Sequence, residues 1–239
     1  MKTPLLPSLA VRCREPELMD QPDLDNTAHR HALTGLARVN QFSRSSAILW
    51  PAILQLGRQS QGRPVRVLDV ACGGGDLLLD LKSRAERSGV PLELAGCDVS
   101  PVALRVGVER AEQKGLSVKF FEADVIASPL PDDYDVVMCS TFLHHLDDQE
   151  AAGLLANMGK AARRMVLVND LTRSQLGYLL ALIGTRLLTS SYVVHFDGPQ
   201  SVRSAFSIDE VAAMAKTAGL NGAQFSRHWP QRFLLKWKR

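Results

Sequence analysis

From residue 65 onward, short, mainly apolar runs alternate with longer stretches in which apolar residues recur every three or four positions. "VRVLDVA" is followed by "DLLLDLKSRAERSG", "LELAGCDVS" by "PVALRVGVERAEQKG". "VKFFEADV" and "YDVVMCSTF" come next, then "DQEAAGLLANMGKAAR" and "RMVLVNDL". Short apolar runs read as buried strands and the three-to-four period reads as helix. Punctuation agrees: Gly89 and Gly115 close two helices and Pro101 opens one. Strands that are apolar on both faces, each followed by a helix, predict a parallel sheet covered on both sides.

The two ends of the chain break this rhythm. "FSIDEVAAMAKTAG" carries a capping box, Ser207 with Glu210, and a stop at Gly219. "AQFSRHW" and "RFLLKWK" read as two strands turned at Pro230, an antiparallel finish to the sheet. Ahead of the first strand, "HRHALTGLARVNQFSRSSAILWPAIL" has helical spacing. The expected fold is therefore α/β and doubly wound, a mostly parallel seven-stranded sheet with N-terminal helices. Residues 1–64 form an N-terminal helical extension, and 65–239 one domain with an insertion at about 174–204.

Composition adds limits. At 239 residues, 46% hydrophobic and 22% charged, the chain is an ordinary globular one with a sizeable core. A net charge of +3, with basic clusters only at Arg163-Arg164 and at Lys236, Lys238 and Arg239, is too mild to imply a nucleic-acid partner. Cys13, Cys72, Cys97 and Cys139 make no CxxC pair and no Cys/His spacing typical of a metal site. They read as reduced thiols of a cytosolic protein, and no metal is expected. The N-terminal "MKTPLLPSLAVRC" is interrupted by two prolines and lacks a signal core. "LGYLLALIG" falls well short of the roughly 20 apolar residues of a span. A cytoplasmic protein without membrane insertion is expected, this segment being a buried helix or a cap over a site.

The polar residues of interest all follow strands: Asp69 with its glycines, Asp98, Asp124, Ser140 to His145, and Asn169-Asp170. In open parallel sheets the ligand sits at the carboxyl ends of the strands, where strand order reverses. "VRVLDVACGGGDLLLDL", Val65 to Leu81, is a strand, a tight turn and a helix start, an arrangement that usually holds a nucleotide. A dinucleotide fingerprint, GxGxxG, finds Gly73 and Gly75 but meets Leu78 at its third position. No Tyr-x-x-x-Lys pair supports an oxidoreductase, and no GK[ST] follows the glycines to make a P-loop.

"LDVACGGG", with Asp69 four residues before Gly73, resembles the signature of the class I S-adenosylmethionine-dependent methyltransferases. Ala71 stands where that family usually has glycine. "DVVMCSTFLHHLDD" is similar to the fourth-strand region of its small-molecule branch, which includes quinone-biosynthesis and sugar or phenol O-methyltransferases. The resemblance covers Val65 to Asp170 and, loosely, Ser207 to Gly219. It implies a Rossmann-like fold and S-adenosylmethionine as cofactor. Gly73 and Gly75 would let the backbone approach the cofactor, with Ala71 among the cofactor-binding positions. Asp98, followed by Val99, would accept the ribose hydroxyls. Asp124, beside the Val125 backbone, would accept from the adenine amine. Asp69 would orient the loop or reach the ammonium through water, and Ser140 would line the cleft.

Methyl transfer is an in-line displacement, so positioning the acceptor matters most, and a hydroxyl acceptor also needs a base. His144, His145 and Asp170 follow neighbouring strands and are the expected catalytic residues. His195 and Asp197 lie in the insertion, where such enzymes often build the acceptor pocket. Tyr178, Tyr192, Phe42 and Trp50 suggest apolar walls suited to a phenolic or polyketide acceptor. Arg38, Asn40 and Arg44 are placed to close over the cofactor. The residues leave O-, C- and N-methylation open, and also a non-catalytic S-adenosylmethionine-binding relative. The [DNS]-P-P-[YFW] of nucleic-acid amino-methylating branches is replaced here by "CSTF".

Overall fold

The computed structural model describes residues 7–21 and 23–239. Two helices, α1 (Asn26–Phe42) and α2 (Ser45–Gln59), precede the sheet. The continuous helical spacing of the sequence is broken at Arg44, whose left-handed backbone (φ 56°) turns the chain between them. Then follow β1 (Val65–Val70), α3 (Asp76–Arg87), β2 (Leu92–Asp98), α4 (Pro101–Gln113), β3 (Lys119–Glu122), β4 (Val136–Ser140), α5 (Asp148–Ala161) and β5 (Met165–Leu171). The insertion is a helix pair, α6 (Gln175–Leu188) and α7 (Tyr192–Ser204). The chain ends with α8 (Ile208–Thr217), β6 (Gln224–His228) and β7 (Arg232–Lys238).

The seven strands lie in the order β3-β2-β1-β4-β5-β7-β6. The first five are parallel, and β7 runs antiparallel to both β5 and β6. Residues of β1 alternate between two cores. Leu68 and Val70 join α5 and α8 on one face, and Val65 and Val67 join α2 and α3 on the other. Ile48, Leu49, Ile53 and Leu56 of α2 belong to that second core, so this helix is part of the sheet's packing. Successive β1 side chains point to opposite faces and both are covered, which is why "VRVLDV" carries valines or leucine on each face.

Strand order reverses between β1 and β4, and the crevice beyond their carboxyl ends is where such a sheet takes a ligand. Two observations explain how the loop after β1 fits without a third fingerprint glycine. Leu78 of α3 is fully buried, and opposite it lies Gly96 of β2. A Cβ on Gly96 would stand 2.6 Å from the Leu78 Cδ1 and the Cys72 Sγ. The close approach of helix to sheet is thus provided by a glycine in the strand.

Among the described residues, no helix is long and apolar enough to cross a membrane. The apolar insertion does not read as expected. α6 buries Gly177 and Thr185, while Leu176, Ile183 and Leu187 face outward, as do Tyr192 and Phe196 of α7.

Candidate active site

The loop after β1 is built from left-handed residues: Ala71 (φ 54°), Gly73 (φ 54°) and Gly75 (φ 70°). A Cβ on Gly73 would meet a Leu33 methyl at 3.9 Å, an ordinary van der Waals contact, so α1 lies against this glycine. Asp98, ending β2, holds the loop from the side. Its Oδ2 accepts from the Gly73 amide at 2.8 Å and its Oδ1 from the Ser100 amide at 2.9 Å. Ser100 takes the capping role itself, accepting from the Ala103 amide at 3.2 Å. Burial pushes the Asp98 carboxyl above its ordinary range despite these two amides. Val99 next to it is 62% exposed, an unusual position for a valine in a strand-to-helix turn.

Asp69 is buried beneath this loop, and its Oδ1 has no hydrogen-bond partner. Burial, together with the charges of Asp76 and Asp98, raises its pKa well above the ordinary value. Asp76, opening α3, is held by the Asn40 side-chain amide at 3.2 Å. Asn40 thus closes on the loop from α1, while Arg38 lies exposed and Arg44 only shapes the turn.

Asp124 sits on the surface after β3. Its Oδ1 accepts from the Ile126 and Ala127 amides at 2.9 and 3.0 Å, which holds its pKa below the usual range. Its geometry is that of a turn-closing acid with Oδ2 uncommitted. The Val125 side chain is in the core, so only its backbone can serve a ligand. Ser140, ending β4, accepts from the Asn169 side-chain amide at 2.9 Å, and the Asn169 Oδ1 is left unpartnered.

Beyond β4 the chain turns through Thr141 (φ 53°) into a 3-10 turn, Leu143–His145. This brings both imidazoles over the end of β5. His144 is buried, with Nδ1 2.7 Å from the Asp170 Oδ1, and the His144 amide donates to Asp170 Oδ2 at 3.2 Å. An ionised carboxylate only accepts, so His144 Nδ1 carries the proton. Burial alone would raise the Asp170 pKa, but the His144 contact and the Leu171 amide outweigh it and keep it low. His145 Nδ1 lies 2.8 Å from Asp20 Oδ2. Burial alone would lower the His145 pKa, but Glu17 and Asp20 outweigh it and raise it to about 9. His145 is therefore protonated near neutral pH and is, in this arrangement, the wrong form for a general base.

Both histidines turn their Nε2 toward Glu17, at 3.7 Å from His144 and 3.8 Å from His145. Glu17 comes from the segment before α1, which crosses the site. Arg12 pins it, donating to the His144, Leu146 and Ser204 carbonyls and stacking over the Phe206 ring. Arg14 donates to the His145 carbonyl at 2.9 Å. Asp197 of α7 accepts from the Leu18 and Met19 amides, so it anchors this segment. Burial, then the Glu17 charge, raises its pKa to about 7. His195 is also structural: its Nε2 meets the Thr189 carbonyl at 2.7 Å. Tyr192 and Phe42 point outward, and Trp50 packs beside α2's core.

The sequence reading reached Asp69, Gly73, Asp98, His144 and Asp170, and the structure groups them at one end of the sheet. It missed Glu17, Asp20, Arg12 and Arg232. Arg232, opening β7, is buried with Nε and Nη1 unpartnered, and burial lowers its pKa to about 10. "REPELMD" gave no periodic signal, and only the crowding of acids before a helical stretch sets it apart.

Residues 67–164 match the methyltransferase domain family. The matched segment runs from β1 through α5. Over 107 residues it is 38% identical to a demethylmenaquinone methyltransferase of Thermus thermophilus, covering 44% of this chain and 47% of that protein. It is 32% identical over 164 residues to a ubiquinone biosynthesis O-methyltransferase of Ralstonia nicotianae, covering 66% of this chain and 64% of the relative. The chain thus spans about half to two thirds of the curated relatives it matches. A solved methyltransferase from Aquifex aeolicus superposes over 90% of this chain and 99% of its own, with TM-score 0.59 and 16% identity. The apo methyltransferase SibL superposes over 84% of this chain and 55% of its own, with TM-score 0.62 and 20% identity. At these identities the structural likeness speaks to the fold alone, a Rossmann-like, mostly parallel seven-stranded sheet.

Proposed function

We propose that this protein transfers the methyl group of S-adenosylmethionine to a hydroxyl of a small apolar acceptor. The observation that carries the reading is the pair Gly73 and Asp98 at the strand-order reversal, the left-handed glycine amide held by the carboxylate at 2.8 Å. The cleft fits the cofactor chemically. The buried Asp69 Oδ1 without a partner is an acceptor in search of a donor or a positive charge, and S-adenosylmethionine brings both.

When bound, S-adenosylmethionine supplies an electrophilic methyl on a sulfonium. The chain's own residues do the rest. Asp98 uses the remaining lone pairs of its carboxylate for the ribose hydroxyls, charge-assisted bonds in a buried setting. Val99 offers an apolar surface to the adenine. Asp124 Oδ2 and the Val125 backbone serve the adenine edge. Ala71 and Gly73 hold the loop backbone close to the methionyl portion, and Ser140 lines the wall from β4. The acceptor hydroxyl is held and activated at the cluster of His144, His145 and Glu17, beside Asp170.

The named activities of the quinone-biosynthesis relatives support an aromatic, apolar acceptor. The outward apolar residues of α6 and α7 support it too, since they offer an apolar approach. The test is incubation of the purified protein with S-adenosylmethionine and a panel of phenols, following S-adenosylhomocysteine and methylated product. Turnover of a phenol with O-methyl product supports the reading. Exclusive C- or N-methylation, or no turnover across the panel, contradicts it.

A further inference from the structure

We propose that Glu17, His144 and His145 form a binding site for one divalent first-row cation, with Zn²⁺ the best-matched ion. The three ligating groups converge, one ligand atom from each lying within 4.8 Å of the other two. They come from distant parts of the chain, so no local Cys/His spacing announces them, and the sequence reading expected no metal.

The distances leave room for a cation between the two rings and the Glu17 carboxylate. Where these rings share a proton with a carboxylate, they do so tightly: 2.7 Å from His144 Nδ1 to Asp170 and 2.8 Å from His145 Nδ1 to Asp20. Toward Glu17 the same two rings stop at 3.7 and 3.8 Å, too far for a hydrogen bond. Two ligands each about 2.0–2.1 Å from a tetrahedral zinc stand ~3.3 Å apart, so each Nε2 and the Glu17 oxygen nearest to it, Oε1 for His144 and Oε2 for His145, would close by a few tenths of an ångström.

The surroundings are those that orient metal ligands. A metal-bound histidine donates its other ring N–H to a carboxylate or carbonyl, and both histidines here do so. Ser201 donates to Glu17 Oε1 at 2.6 Å, fixing the carboxylate's rotation. Four acids, Glu17, Asp20, Asp170 and Asp197, surround two imidazoles, while the nearby Arg12 and Arg14 guanidiniums are spent chiefly on backbone carbonyls. Two imidazoles and one carboxylate suit zinc or ferrous iron, and three protein ligands leave a coordination position open.

An acceptor hydroxyl in that open position would lose its proton more easily beside the cation. That last consequence rests on the methyl-transfer reading; cation binding itself does not.

The test is a titration of chelator-treated full-length protein with Zn²⁺, and with Co²⁺ as a spectroscopic probe. Wild type is expected to take up one Zn²⁺ per chain and to give Co²⁺ ligand-field bands. Glu17→Gln and the partly exposed His145→Ala are each expected to abolish both signals. Asp20→Ala, which removes only the ring's orienting partner, is expected to weaken Zn²⁺ by about ten-fold. S-adenosylmethionine binding, measured on the same samples, reports whether the variants remain folded. No saturable Zn²⁺ or Co²⁺ uptake by wild type overturns the proposal, as does unchanged uptake by folded Glu17→Gln and His145→Ala. Uptake without S-adenosylmethionine binding in wild type would sink the methyl-transfer reading and leave the cation site standing.

Discussion

The Gly73 amide donates to the Asp98 carboxylate at 2.8 Å, tying the loop after β1 to the end of β2. Asp98 therefore does two jobs: it shapes the loop and offers its remaining lone pairs to a ribose. Asp98→Ala is expected to weaken S-adenosylmethionine binding ten-fold or more by calorimetry, as loss of a charge-assisted pair would. An affinity within two-fold of wild type would contradict the cofactor pose.

Asp124 differs from Asp98 in being exposed, with its Oδ1 spent on two local amides. An exposed carboxylate competes with water for any ligand contact. Asp124→Ala is expected to cost S-adenosylmethionine affinity about three-fold, clearly less than Asp98→Ala. Equal losses in the two variants would show that the adenine edge is held more firmly than the exposure of Asp124 allows.

Asp69 makes stability depend on pH. Its folded pKa lies well above the ordinary 3.8, so the folded chain keeps a proton that the unfolded chain releases. Stability from this group is full below that value and is lost as pH rises toward the folded pKa. Asp69→Asn should therefore raise the Tm of the ligand-free protein at pH 8 and change it little at pH 4. Thermal melts across that range check the sign; a variant less stable at pH 8 than at pH 4, relative to wild type, would reverse it.

Ala71 occupies left-handed backbone at φ 54°. A residue with a Cβ pays roughly 1–2 kcal/mol there, and glycine escapes that cost at some loss of chain entropy. Ala71→Gly is expected to stabilise the fold by about 1 kcal/mol, read by chemical denaturation. Destabilisation would mean that the Ala71 methyl makes contacts worth more than the backbone strain.

His144 is the buried partner of Asp170, at 2.7 Å. His144→Ala removes the imidazole from that buried carboxylate and leaves it only backbone amides, at a cost of about 3 kcal/mol. It should also lower turnover on a hydroxyl acceptor about a hundred-fold with S-adenosylmethionine affinity nearly intact. Wild-type turnover in a folded variant would assign acceptor activation elsewhere.

What the sequence made legible follows from local signals. Buried parallel strands need apolar runs, and helix ends need glycines, prolines and capping boxes, so β1 to β5 and α8 could be read directly. Asp69, Gly73 and Asp98 stood out because a ligand-binding turn needs small residues and acids at strand ends. The N-terminal segment was opaque because Glu17 and Asp20 meet His144 and His145 across more than a hundred residues of chain. Arg232 reads like any strand residue, and only the packing of β7 against β5 buries it. α6 misled because its apolar residues suggested burial, yet Ile183 and Leu187 face outward. Leu78 looked like a missing glycine until Gly96 was seen opposite it.

The most direct test of the central claim is calorimetric titration of the purified protein with S-adenosylmethionine, S-adenosylhomocysteine and NADH. Micromolar binding of the first two and none of the third is expected. Binding of NADH alone, or of none of the three, would contradict it.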